Sequence, residues 1–347
     1  IDPKSGTVEK KTAFVGSNQY SIVYMSENNI VIAYTYMGDV VTYAYNFFTT
    51  TGKDLLPQNL QDHLLKLQSY DLSSQAKMIE LTETINKHRQ SLSNDEALKF
   101  DNNLTNQMEA FAQDHARDME RTGITTIDLS QLTITASGSV PGHPLNQFSL
   151  DEFDKHVRIA TTVAPTSIYG YTIRGNSTAN DVYVLNNNLE TVGSIKDLGL
   201  NERIYAVRFL GTKGYMVTFR ETDPLYVLDL SNPNNPQKVG ELKIPGYSSY
   251  LHPLTSKLLL GVGKEGDKVK LSVFDTSSNT PSELDTYLLD EYWTEIANNH
   301  RAFLQDEKHS VFFIPGSKGA YIFGYDSNGK LDLTKTIADV QMKRSVF

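Results

Sequence analysis

The chain contains no cysteine among its 347 residues. That excludes thiol catalysis, disulfide staples and zinc sites built on cysteine, and it leaves the redox compartment open. Basic residues are in the minority, with 32 Lys and Arg against 41 Asp and Glu, so the net charge is -9. Nucleic-acid binding needs clustered positive charge, and this balance disfavours it. There is no run of about 18 apolar residues, which excludes a helical membrane span. The single Trp excludes folds locked by a tryptophan in every repeat. Also missing are a glycine-rich phosphate loop, a G-x-S-x-G elbow and an H-E-x-x-H helix. The chain opens on Ile1-Asp2-Pro3 without a charged and apolar leader. This reads either as a protein that is not exported or as a missing N-terminal part.

What is present is strand chemistry in abundance. Leu225-Tyr226-Val227-Leu228-Asp229-Leu230 suits a pleated surface, and Ser231-Asn232-Pro233 followed by Asn235-Pro236 stops it. After the turn, Leu242 and Ile244 share a face with Lys243 between them, completing a hairpin. Upstream, Ile204–Phe209 and Tyr215–Phe219 flank a glycine-bearing turn and form another hairpin. The third strand of this four-beat unit returns around Val184, Val227, Val273 and Ile322. These centres are about 43, 46 and 49 residues apart, the period of a four-stranded propeller blade. The fold class is therefore all-β, a β-propeller with about five blades represented.

In the first blade, Ser21–Met25 and Ile30–Tyr34 predict a hairpin, and Val40–Phe47 predicts a third strand. From Asp54 the pattern turns helical, and a helical insertion is expected over 54–122. Leu60, Leu64 and Leu67 share one face of its first helix, and Ser93-Asn94-Asp95-Glu96 has the spacing of a capping box. Gly123 is expected as its left-handed cap. The insertion's apolar stripe must rest on the blades or on a partner, and it offers a surface for self-association.

In a propeller the loops entering each blade gather at one mouth, the usual binding face. Here they carry Asn146, Gln147, Ser149, Asp151 and Glu152, then Arg174, Arg220, Glu221 and Asp223, and further on Tyr247, Lys264, Glu291, Trp293 and Glu295. Such a polar, mixed-charge mouth suits a protein, peptide, glycan or ion. His252 and His300 fall near inner strands, where two imidazoles and a carboxylate would suit zinc or copper. No cofactor motif is present.

Val140–Phe153, His156–Thr162 (HVRIATT), Val217–Leu242 and Gly246–Leu254 (GYSSYLHPL) together resemble the secreted β-propeller family of archaea and bacteria that is distantly related to WD repeats. The Leu225–Pro236 unit is also similar to the LVIVD-type repeats of microbial surface proteins. The resemblance implies a propeller with a helical insertion at this place, an exported or cell-surface location, and no particular reaction. It also implies further blades, so the chain reads as a fragment of a longer ring. Two functions are expected: an extracytoplasmic interaction module without catalysis, or a hydrolase or lyase using the mouth carboxylates with Arg220 and a divalent ion.

Overall fold

The computed structural model describes residues 4–8, 10–14, 21–165, 178–219, 223–338 and 343. The chain folds into five antiparallel four-stranded sheets, each a blade. Blade 1 contains β1 (Ser21–Met25), β2 (Asn29–Met37), β3 (Glu120–Asp128) and β4 (Ile134–Pro141); blade 2 contains β5 (Leu150–Phe153), β6 (His156–Val163), β7 (Ala179–Leu185) and β8 (Thr191–Leu198). Blade 3 follows with β9 (Arg203–Leu210), β10 (Lys213–Phe219), β11 (Asp223–Asp229) and β12 (Gln237–Ile244). Blade 4 is β13 (Tyr247–Pro253), β14 (Leu258–Glu265), β15 (Lys268–Asp275) and β16 (Ser282–Leu289), and blade 5 is β17 (Leu304–Asp306), β18 (Val311–Pro315), β19 (Gly319–Tyr325) and β20 (Leu331–Ala338).

The repeat centres recognised in the sequence mark one structural event. The ladder between third and fourth strands slips beside Val184, Val227, Val273 and Ile322. A slip of this kind is a β-bulge, which bends its strand and increases the local twist. On that outer strand a glycine accepts the next blade's turn. A Cβ on Gly193 would lie 2.2 Å from the Pro233 carbonyl oxygen, and one on Gly240 would lie 1.9 Å from that of Asn279. The Asn- and Pro-rich turn is thus a docking piece as well as a strand stop.

Each blade buries its inner faces against a neighbour. Val31, Ile124, Ile159 and Tyr183 join blades 1 and 2. Val182, Val207, Met216 and Leu228 join blades 2 and 3, and Val217, Val227, Leu251 and Phe274 join blades 3 and 4. Leu260, Leu271, Phe312 and Phe323 do the same for blades 4 and 5.

Between β2 and β3 lie α1 (Val40–Thr49), α2 (Gln58–Ser69), α3 (Ser74–Ser91), α4 (Asn94–Asp114) and the short α5 (Ala116–Met119). The strand expected over Val40–Phe47 is therefore α1, and the helical segment starts well before Asp54. The residues have strand propensity, but Asp39 caps them: its carboxylate accepts from Val41 N at 2.9 Å and from Thr42 Oγ1 at 2.7 Å. Tyr43, Ala44, Tyr45, Phe47 and Phe48 are then buried among the other helices. Burial on several sides overrides a propensity worth at most about 1 kcal/mol per residue. The third strand of blade 1 is β3. Gly123, expected as a helix cap, sits in its middle opposite Tyr34, whose ring fills the space a Cβ would need. At Ser93 the capping box forms as the spacing predicts.

The helical stripe does not rest on the blades. Leu64, Leu67, Leu81, Phe100, Leu104, Met108 and Phe111 close on one another and on α1. A polar clamp joins this unit to blade 2. Arg117 of α5 donates to both oxygens of Asp181 at 2.8 and 2.9 Å and to Asp197 at 2.7 Å. Asp181 is fully buried, and it also accepts from Tyr183 Oη at 2.6 Å and from Asp197 N at 3.0 Å.

Candidate functional site

The segment linking blade 1 to blade 2 occupies the centre of the blade arc. Its short 3-10 turn, Gln147–Ser149, is capped by Asn146, whose side chain accepts from Phe148 N at 3.0 Å. Gln147 Nε2 lies 2.9 Å from His300 Nε2 in the entry to blade 5. Phe148 stacks edge-on to Tyr250 of β13 and to His300, with the Arg208 guanidinium of β9 4.5 Å from its ring centre. Ser149 is fully buried. One turn therefore touches side chains from blades 3, 4 and 5.

The predicted carboxylates sit at blade junctions. Asp151 forms an ion pair with Arg158, whose guanidinium lies between Phe153 and Phe209 and donates to the Gly211 carbonyl of blade 3 at 2.6 Å. Glu152 accepts from Ser26 Oγ at 2.5 Å and Asn29 Nδ2 at 2.8 Å, tying blade 2 to blade 1. Glu291 is 1% exposed. It accepts from Ser317 N, Ser317 Oγ, Lys318 N and Tyr321 Oη at 2.5–3.0 Å. Burial pulls its pKa up, but these donors outweigh burial and hold it below the usual range. Gly316 is needed here, because a Cβ would lie 2.5 Å from the Glu291 carboxylate.

His252 is held as a neutral ring. Gln305 Nε2 donates to the Leu254 carbonyl at 2.9 Å, so its Oε1 accepts a hydrogen bond from His252 Nε2 at 2.8 Å, while Tyr250 Oη lies 2.9 Å from Nδ1. Burial first, and Arg208 second, lower its pKa to about 4. His300 is lowered as well, chiefly by burial. Among the described residues no three His, Asp or Glu side chains converge in a metal-ligating group. Trp293 is 36% exposed beside the exposed Tyr292, over whose ring Lys264 Nζ sits at 3.5 Å. Tyr247 stacks with Tyr205 and Phe219, and Glu295 opens a 3-10 turn. Arg174, Arg220 and Glu221 lie outside the described residues, and Asp223 is the first residue of β11.

Sequence reasoning passed over Arg208. Beside it a cavity of about 490 Å³ opens between β1 and β9, floored by Gln147 and Phe148, with Arg301 also on its wall. Burial lowers the Arg208 pKa from its ordinary value, against the opposing pull of Tyr250, Asp151 and Tyr24. An arginine inside the otherwise apolar run Ile204–Phe209 was the available signal.

A family model described as "Beta propeller domain" matches residues 1–346. An uncharacterized protein of Archaeoglobus fulgidus is 47% identical over 332 residues, covering 95% of this chain and 51% of that protein. Another, of Methanocaldococcus jannaschii, is 40% identical over 338 residues, covering 96% of this chain and 53% of that protein. The chain thus spans about half the length of these two relatives. A chain from the crystal structure of the mitotic checkpoint complex is similar at a TM-score of 0.41 and 10% identity, over 64% of this chain and 61% of that one. Five bulged four-stranded blades and a match along nearly the whole sequence lead to one conclusion: the chain belongs to the β-propeller domain family.

Proposed function

We propose that the domain is a non-enzymatic interaction module that works outside the cytoplasm, binding a protein, peptide or glycan ligand on a rigid blade scaffold. The observation that carries this reading is the engagement of Asp151, Glu152 and Glu291: Glu152 and Glu291 each fasten one blade to the next, and Asp151 holds Arg158, which reaches the Gly211 carbonyl of blade 3. Acid–base catalysis needs a carboxylate free to exchange its proton with substrate. Glu291, held by several fixed donors, has its pKa lowered and serves the fold. The extracytoplasmic placement rests on the resemblance to secreted propellers.

The test is a turnover assay on ester, glycoside, phosphoester and uronate substrates, with Asp151→Asn and Glu291→Gln as controls. No turnover above the blank is expected, and both variants should melt earlier than the parent. Turnover that is lost in either variant while its fold persists would overturn the reading. Fractionation of the source cells checks the location, and recovery in the cytoplasm alone would remove that half.

A further inference from the structure

From the groups around the axial cavity we infer a binding site for an organic carboxylate with an apolar body, held by Arg208 and closed on one side by Arg301. This names the ligand class for the interaction module proposed above and rests on that reading.

The cavity presents donors and two cations beside a single carboxylate. Arg208 stacks on Phe148 and, among the described residues, its guanidinium makes no ion pair or hydrogen bond. Arg301 likewise has no side-chain partner among them. The one carboxylate on the cavity wall, Asp151, is hydrogen-bonded to Arg158 through Oδ2 and acts on Arg208 without bonding to it. Tyr24 Oη accepts from Glu152 N at 3.4 Å, which leaves its own hydrogen free to donate inward. A half-buried cation without a counter-ion is unfavourable, and an arriving anion removes that penalty. The planar fork of arginine matches a carboxylate's two oxygens. The remaining wall includes Leu150 and Leu210, so the ligand has an apolar part behind its acid group. A bare inorganic anion would leave that surface uncovered.

The experiment is calorimetric titration of this chain with phenylacetate and hexanoate, compared with benzyl alcohol and inorganic phosphate. Saturable binding of the carboxylates is expected, with the alcohol and phosphate at least tenfold weaker. Arg208→Gln should weaken carboxylate binding by tenfold or more, while Arg208→Lys keeps part of it. Because the substitution removes a desolvated charge that has no hydrogen-bonded partner among the described residues, Arg208→Gln should melt at or above the parent temperature. If it fails to fold, Tyr24→Phe and Arg301→Gln serve instead, each expected to weaken binding several-fold. Absence of saturable carboxylate binding, equal affinity for benzyl alcohol or phosphate, or unchanged affinity in folded variants would each overturn the assignment. Those results leave the broader reading to the turnover assay, whose failure is a separate event.

Discussion

In the helical segment, Phe47, Leu64, Leu81, Leu104 and Phe111 bury one another, and no blade residue joins them. In the blades, every apolar cluster draws on two consecutive sheets. A blade has two faces and no partner within itself, so its stability is a sum of neighbour interfaces. The helices bring their own partners, and what couples them to the propeller includes the charged clamp of Arg117 with Asp181 and Asp197. One region is a self-contained core held on by a polar contact; the other exists only by contact with its neighbours.

The largest test of that difference is Arg117→Ala. It leaves the buried Asp181 carboxylate without its cation, which for a buried pair costs about 3–5 kcal/mol. Differential scanning calorimetry should show the helical unit and blade 2 parting into separate transitions. A single unshifted transition would show that the clamp does not couple the two regions.

Next come matched core deletions, Leu104→Ala in α4 and Leu271→Ala in β15, each removing a fully buried leucine. Both should cost about 2–5 kcal/mol. The consequences differ in extent, and hydrogen exchange read by mass spectrometry reports it. Leu104→Ala should speed exchange in α1–α4 and spare the sheets; Leu271→Ala should speed it in blades 4 and 5 together. Equal spread in both variants would erase the distinction.

The smallest effect is a pH dependence carried by a blade histidine. His252 is neutral in the fold with a pKa of about 4, against 6.5 when unfolded. Its contribution is present above pH 6.5 and fades as the pH falls toward 4, because the unfolded chain takes the proton first. The loss is on the order of 3 kcal/mol across that window. His300 adds in the same direction. Urea titrations of parent and His252→Gln should show a steeper fall for the parent between pH 6.5 and 4, and parallel curves would contradict the assigned state of the ring.

The blade period was legible because strands, turns and their spacing are local properties. Val184, Val227, Val273 and Ile322 stood out in the sequence and mark the bulges of the folded sheets. Ser93 with Glu96 was likewise readable, since a capping box spans one turn of chain. At the mouth, residue type alone says nothing of the partners a polar group meets. Glu152 meets Ser26 and Asn29 more than 120 residues away in sequence, a distance over which composition says nothing about who pairs with whom.

The sequence by itself determined the repeat, its four-strand phrase, the turn chemistry and the presence of a helical segment, since each depends on neighbours along the chain. Only the tertiary structure decided that Val40–Thr49 is a helix, since its aromatic residues fit either element until they meet a core to enter. It also decided that Glu152 and Glu291 fasten blades and that Arg208 stands without a bonded partner among the described residues, beside an open cavity. Burial and pairing of charge are set by whatever the fold brings alongside, and that is a property of the whole chain.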